Sequence, residues 1–301
     1  MGNAWTALLA WLDIRKQAGA MILRMEDLDP DRSRYEYAEA LLRDLRWLGL
    51  DWDEGPDMRG SRAPYRQSER AGLYVAAFEK LCKLDLVYPC FCSRAELRNV
   101  AFAPHAGETE VPYSGHCREL TDKQRGTLKE MGRNPSFRLR VNSAEISFHD
   151  EVYGLQKQKL AEVCGDFIIR RTDGVFAYQL AVAVDDVDMK VSRIVRGADL
   201  LGSTPRQIYL WKLFGAQPPT FLHVPLLLGC DGTRLSKRHG SLTLAALRES
   251  GLSPEKLVGR LACWAGLIEK PEAVRAAELI PLFSVGRLQR QPVIVPNDML
   301  L

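Results

Sequence analysis

The chain has 301 residues, 46% of them hydrophobic and 26% charged, with a formal net charge of +3. That length supports one large domain or about two ordinary ones around a sizeable core. No uncharged run is long enough to cross a bilayer, and no low-complexity tract, coiled-coil repeat or basic signal-peptide start is visible, so membrane-spanning, fibrous, disordered and secreted disulfide-rich classes are disfavoured.

Residues 4–17 are predicted to form an amphipathic helix, with Leu8, Leu9, Trp11, Leu12 and Ile14 apolar and Arg15-Lys16 near its end, stopped at Gly19. Residues 20–25 read as a buried strand. Glu26, Asp27 and Asp29 follow at its carboxy end, the edge where open α/β sheets bind ligands. Ser33-x-x-Glu36 is a capping-box pattern that starts a helix to about Leu48, and a further helix covers 66–84. Between 88 and 150 the texture changes, with paired cysteines, capping boxes at Ser93-x-x-Glu96 and Thr121-x-x-Gln124, and a strand-like alternation over Phe137–Val141. This stretch reads as an insertion into a β/α pattern that resumes at Asp166-Phe167-Ile168-Ile169 and again at Tyr178–Val184. Thr204-Pro205 reads as an N-cap followed by proline at N1, opening a helix to about Phe214. His223–Leu228 is a short apolar strand, the pattern after Gly240 is helical to about Ile268 with a capped start at Ser253-Pro254, and the remainder is weakly patterned.

Four constellations carry chemistry. Thr233-Arg234-Leu235-Ser236-Lys237-Arg238 is a basic loop after a strand and a turn; such loops are commonly solvated surface, but a cationic loop also grips polyphosphate, with Lys237 offsetting charge at an α-phosphate. Arg24-Met25-Glu26-Asp27-Leu28-Asp29 reads as a helix approach and turn, or as a carboxylate at a strand end that holds a substrate ammonium. Tyr178 through Asp185-Asp186 to Arg196-Gly197-Ala198-Asp199 includes an arginine suited either to a surface ion pair or to a bidentate clamp on a carboxylate. Cys90-x-Cys92 and Tyr113-x-x-x-Cys117 offer three thiols; the fourth zinc ligand is open among Tyr113, His116 and His105, and the bland alternative is buried free thiols. Seven cysteines do not form a dense disulfide framework, so a reducing cytoplasm and a metal site fit them better, with Cys82, Cys164, Cys230 and Cys263 incidental.

Together these segments resemble the class I aminoacyl-tRNA synthetases, glutamyl branch. Arg24–Asp29 resembles the family's Arg-Ile-Glu-Asp-Thr-Asp segment, Tyr65–Arg70, Tyr178–Asp186 and Arg196 match in order and spacing, and Arg234-Leu235-Ser236-Lys237-Arg238 resembles the Lys-Met-Ser-Lys-Ser signature. The resemblance implies an α/β fold: a Rossmann-type parallel sheet with an inserted zinc-bearing subdomain and a helical C-terminal part. It divides the chain into a first catalytic half at 1–87, the insertion at 88–150, a second catalytic half at 151–240 and a helical stem-contact-like region at 241–301. Too few residues follow Lys237 for the family's helical anticodon-binding domain, and Cys90, Cys92, Tyr113 and Cys117 match the zinc site of the branch that glutamylates queuosine. The implied substrates are L-glutamate, ATP with Mg²⁺ and the queuosine base in the anticodon loop of tRNA(Asp). Glu26, Tyr178 and Arg196 would hold glutamate; Gly2, Asn3, Asp199, Arg234 and Lys237 would hold ATP; Lys237 and Ser236 would act in catalysis; one structural Zn²⁺ would sit on the cysteines and tyrosine. The implied protein is a cytoplasmic monomer with no membrane contact. The rivals are a truncated synthetase that charges a tRNA 3′ end and a non-catalytic, zinc-stabilised tRNA-binding module.

Two positions depart from the family pattern. Val182 stands where full-length members often carry asparagine, which implies weaker glutamate binding. Gly2-Asn3 matches only the end of a His-x-Gly-Asn signature, with Met1 on its second position, so the resemblance implies a central strand upstream and an earlier start of the reading frame. Intact-mass measurement of the protein from its native source is expected to find residues ahead of Met1; a mature protein beginning at Met1 or Gly2 overturns this.

Overall fold

The computed structural model describes residues 1–31, 33–93, 96, 112–142, 145–233 and 243–295. In chain order the described elements are α1 (Gly2–Lys16), α2 (Tyr35–Trp47), α3 (Ala71–Lys83), β1 (Val87–Cys90), α4 (Asp122–Glu130), β2 (Ser136–Leu139), β3 (Glu145–Asp150) and β4 (Gly154–Lys159). They continue with α5 (Leu160–Val163), β5 (Phe167–Arg170), α6 (Tyr178–Asp188), β6 (Arg193–Gly197), α7 (Thr204–Phe214), β7 (Thr220–Val224) and β8 (Leu227–Leu228), and end with α8 (Leu244–Glu249), α9 (Pro254–Trp264), α10 (Ala276–Leu279) and β9 (Val293–Ile294).

Trp5, Leu8, Leu9, Trp11 and Leu12 are all buried, so α1 is sunk into the molecule and not laid on its surface. Ala18 turns the chain at φ +52°, and a Cβ on Gly19 would lie 2.4 Å from the Ile14 side chain, so only glycine lets the backbone leave so tightly. The segment that follows is extended, but the expected strand at 20–25 forms only isolated parallel bridges, Ile22 to Glu54 and Met25 to Arg66. Its partner backbone leaves between Glu54 and Tyr65, so a continuous ladder has nothing to pair with; Leu23 N–H donates to Glu54 at 2.8 Å and Met25 N–H to Tyr65 at 2.8 Å.

The main sheet runs β4-β3-β7-β6. β3 and β4 are an antiparallel hairpin, whereas β3–β7 and β7–β6 are parallel. The far edge of β6 pairs with no strand among the described residues. A second, antiparallel sheet runs β1-β2-β5 and carries the cysteines at its edge. β5, from beyond residue 150, thus completes the sheet of the cysteine region, while β3, from before it, joins the main sheet.

Several local expectations shift. The Ser33-x-x-Glu36 box does not form, because α2 starts one residue later, on Arg34, and leaves Ser33 outside the cap. The boxes at Thr121/Gln124 and Ser93/Glu96 do form. Thr204 is the first residue of α7 and not its N-cap; Ser203 holds that position without a side-chain cap, and the Thr204 hydroxyl is engaged with Arg196 and His223. Tyr178–Val184 is the start of helix α6. Pro225, which has no N–H to give a ladder, splits the expected strand at 223–228 into β7 and β8. The weakly patterned C-terminal stretch returns as β9 to pair parallel with β8. Among the described residues, no helix is long and apolar enough to cross a membrane.

Among the described residues two large apolar clusters form the core, one around α1, α2 and α9, the other around β2, β3, β5, α6 and α7, and a small third one gathers Tyr88, Cys90, Phe91 and Cys117. Between α3 and α6 lies a buried ionic hub. Asp185 is fully buried and accepts from Arg70 Nε at 2.7 Å, Gln67 Nε2 at 2.8 Å and Tyr74 Oη at 3.0 Å. Removing one partner of such a pair strands the other charge, so Asp185→Ala is expected to lose about 3–5 kcal/mol in urea unfolding followed by circular dichroism. A loss below about 1 kcal/mol would show that the hub is not needed for stability.

Candidate active site and metal centre

Three of the predicted ligand-binding residues border one cavity. A space of about 610 Å³ opens between the extended segment 19–26 and the unpaired edge of β6, and Glu26, Tyr178 and Arg196 all line it. Glu26 emerges immediately after the last backbone bridge of that segment. Tyr178 is the first residue of α6 and is 36% exposed; Arg196, near the end of β6, is 8% exposed. Val182 and Asp186, on the next turns of α6, line the same space.

Charges of both signs face this cavity. Arg24 stands 3.4 Å from Glu26, 3.4 Å from Asp185 and 2.9 Å from Asp186. Burial pushes the Glu26 carboxyl above its ordinary range; Arg24 opposes this and Asp186 adds to it. Burial also lowers the Arg196 guanidinium, against the pull of Tyr178, Asp186 and Glu26, and raises the Tyr178 phenol. The side chain of Arg196 is held by His223 Nε2, which accepts from Nε at 3.1 Å, and by Thr204 Oγ1, which accepts from Nη2 at 2.7 Å. A carboxylate suited to an ammonium and a guanidinium suited to a carboxylate therefore share one space.

Gly2 and Asn3 form the first turn of α1. Trp5 Nε1 donates to Pro225 O at 2.7 Å, which ties that turn to the end of β7, beside the carboxy end of β6. Asp199 is exposed in the turn after β6, and a Cβ on Gly197 would lie 2.5 Å from its Oδ1. Arg234, Ser236 and Lys237 lie outside the described residues. The described chain departs at Thr233, whose N–H donates to Asp231 at 2.9 Å, and resumes at Thr243.

The thiols come together as their spacing suggested. Cys90, Cys92 and Cys117 place their sulfurs within 4.8 Å of one another. Cys92 and Cys117 are 3.5 Å apart, and Tyr113 Oη lies 3.4 Å from Cys90 Sγ and 3.8 Å from Cys92 Sγ. Ligands on a tetrahedral zinc ion, with Zn–S near 2.3 Å, stand about 3.8 Å apart, so these donors fit one ion. His116 is not in the cluster and His105 lies outside the described residues. Arg138 donates to Cys90 Sγ at 3.2 Å and lies 3.7 Å over the Tyr113 ring. Cys117 and Tyr113 as donors, with Arg138 nearby, bring the Cys90 thiol well below its usual range, while burial and the charge on Cys90 push the Cys92 thiol up, and the bond with Cys90 and burial push the Cys117 thiol up. Between this centre and α6 lies a second cavity of about 890 Å³, with Tyr178 and Gln179 on its wall.

Sequence reading overlooked Arg24 as a cavity charge and Asp150 and His223 as partners behind Arg196. Arg24 was inside a quoted motif, but isolated residues such as Asp150 and His223 carry no local signal.

Residues 1–300 match the family described as tRNA synthetases class I (E and Q), catalytic domain. The chain is 50% identical over 302 residues to the glutamyl-Q tRNA(Asp) synthetase of Nitratidesulfovibrio vulgaris, covering all of this chain and 93% of that protein. It is 51% identical over 299 residues to the glutamyl-Q tRNA(Asp) synthetase of Symbiobacterium thermophilum, covering 99% and 92%. The fold resembles a crystal structure of the glutamate-tRNA synthetase from Elizabethkingia anophelis, with a TM-score of 0.83 and 25% identity, over 99% of this chain but 66% of that one.

Cobalt(II) added to the purified protein is expected to give intense thiolate-to-metal absorption in the near ultraviolet, weakened in Cys92→Ser; identical spectra for the two proteins would discard the donor set.

Proposed function

We propose that this chain, which belongs to the class I tRNA synthetases of the E and Q type, activates L-glutamate with ATP and transfers it to the queuosine base in the anticodon loop of tRNA(Asp). The observation that carries the reading is the cavity shared by Glu26, Tyr178 and Arg196, whose charges match those of free glutamate. Relatives at half identity over nearly the whole chain, named glutamyl-Q tRNA(Asp) synthetases, support the choice of acceptor.

Glu26 meets the substrate ammonium, and Arg196, beside Tyr178, takes the side-chain carboxylate. The α-carboxylate is then directed to the carboxy edge of the sheet, where the free amides at the start of α1, on Gly2 and Asn3, together with Asp199 and Arg234, hold ATP and its Mg²⁺. An α-carboxylate oxygen attacks the α-phosphorus as the bond to pyrophosphate breaks, giving glutamyl-adenylate. Lys237, with Ser236, offsets the charge that grows on the leaving pyrophosphate. A hydroxyl of queuosine then attacks the glutamyl carbonyl, forming an ester and releasing AMP and a proton. Much of the rate comes from holding carboxylate and phosphate in line.

Cys90, Cys92, Tyr113 and Cys117 hold one Zn²⁺, whose contribution when bound is to cross-link β1 to the turn at 113–117. The main sheet, with β3 from before residue 150, and the helices on it form the catalytic unit; the sheet of β1, β2 and β5 with the cysteines faces RNA; and α8 to α10 form a helical flank. The protein acts as a cytoplasmic monomer.

Glutamate-dependent ATP–pyrophosphate exchange without tRNA tests activation, run on the 301-residue chain and on the frame extended upstream of Met1. Transfer of labelled glutamate to queuosine-containing tRNA(Asp), with tRNA(Glu) as comparison, tests the acceptor. No exchange by either form, or labelling of a tRNA 3′ end, overturns the reading. Arg196→Ala is expected to raise the KM for glutamate about ten- to hundredfold, the scale of one lost charged hydrogen bond. Lys237→Ala is expected to lower the exchange rate by about 10²–10³ with little change in that KM.

A further inference from the structure

Arg196 reaches the cavity from a strand, yet nothing on its own strand orients it. Its Nε donates to His223 Nε2 at 3.1 Å and its Nη2 to Thr204 Oγ1 at 2.7 Å, while Tyr178 on the cavity wall also interacts with the guanidinium. The bonds to His223 and Thr204 fix one edge of the planar guanidinium and leave the remaining Nη donors for the cavity that Arg196 lines.

His223 accepts this bond only if Nε2 carries a lone pair, which places the ring proton on Nδ1. Asp150 supplies the reason: its Oδ2 lies 2.7 Å from His223 Nδ1 and also accepts the His223 backbone N–H at 3.0 Å. Its Oδ1 accepts from Val152 N–H at 3.1 Å and Tyr153 N–H at 2.8 Å. Four donors on one fully buried carboxylate leave it ionised and immobile. Burial lowers the His223 imidazole below its usual value, and neighbouring Arg196 adds to that, in keeping with a neutral ring.

The sheet puts these groups in line. Asp150 pairs with Phe221 across β3 and β7, and His223 pairs with Arg196 across β7 and β6. A chain of hydrogen bonds thus crosses three parallel strands from the hairpin side to the cavity side. A pair of apolar residues of the same volume would hold the strands together at least as well as this fully buried pair. What apolar residues lack is an acceptor aimed at a guanidinium edge.

We propose that Asp150 and His223 are positioning residues that set the orientation of Arg196 toward the substrate's side-chain carboxylate, and so contribute to the selection of glutamate. This rests on the reading of Arg196 as the carboxylate-binding group. The two residues touch no reacting atom; they act by keeping the guanidinium in the plane from which two N–H groups meet two carboxylate oxygens.

The test compares His223→Leu, which removes the acceptor, with His223→Gln, which returns a carbonyl oxygen near the position of Nε2. His223→Leu is expected to raise the KM for glutamate about tenfold or more, with kcat and the KM for ATP within about threefold of wild type, and His223→Gln is expected to recover most of the loss. Equal KM values for all three proteins, or a loss shared by glutamate and ATP and not recovered in His223→Gln, overturn the proposal. Long-range ¹H–¹⁵N spectra of the ¹⁵N-histidine-labelled wild-type protein stand even if His223→Leu does not fold. They are expected to show His223 as the neutral Nδ1–H tautomer, and an Nε2–H tautomer or an imidazolium at neutral pH overturns the proposal. Calorimetric binding of glutamate to wild type separates the two levels: no binding by wild type sinks the functional reading itself, whereas binding that His223→Leu leaves unchanged sinks only the positioning.

Discussion

The cavity depends on two adjacent carboxylates on α6. Consecutive residues of a helix point about 100° apart, so Asp185 and Asp186 serve largely different neighbours and share only Arg24, which is closer to Asp186. Asp185 is taken by Gln67, Arg70 and Tyr74 and anchors α6 to α3 and the turn before it. Asp186 takes Arg24 and so docks the extended segment that carries Glu26. That segment has only two backbone bridges of its own. Backbone hydrogen bonds at Met25 and the bonds from Ser68 to Asp27 hold the chain on either side of Glu26, and the clamp on Arg24 adds a side-chain tether to α6.

A comparable knot joins the cysteine region to the same helix. Asp166 is buried and accepts from Tyr88 Oη at 2.6 Å, Arg118 Nε at 2.8 Å and Val141 N–H at 2.7 Å, while Arg138 donates to its carbonyl at 2.6 Å. Arg138 also donates to Cys90, so one guanidinium touches both the cysteine cluster and the residue immediately before β5. From β5 the backbone leads directly to the cap of α6, where Ala177 N–H donates to Ile169 at 2.9 Å. Order at the cysteines is thus transmitted to the residue preceding Tyr178 by short, saturated hydrogen bonds and not by a flexible linker.

A recurring device is a buried carboxylate that accepts several hydrogen bonds, as at Asp150, Asp166 and Asp185, although Arg24 Nε is buried with an ion-pair contact and no hydrogen bond. Such groups add little net stability compared with apolar packing, but they tolerate few alternative geometries. That is the property a site for a small amino acid with three charged groups requires, because an error in the angle of a guanidinium costs one of two parallel hydrogen bonds.

Much was legible in the order of residues alone. The apolar run of α1, the Cys-x-Cys hook with Tyr113 and Cys117, and the carboxylates after the first extended segment are short-range patterns, and each appears where its spacing implies. The Thr121/Gln124 box formed because its chemistry is local; the Thr204 cap did not, as that residue lies inside α7 with its hydroxyl engaged by a distant arginine and histidine. The break at Pro225 and the alignment of Asp150, His223 and Arg196 were decided only by tertiary structure. Sequence spacing reports what lies within a few residues along the chain, whereas strand register, across gaps of 27 residues between Arg196 and His223 and 73 between Asp150 and His223, determines which isolated side chains meet.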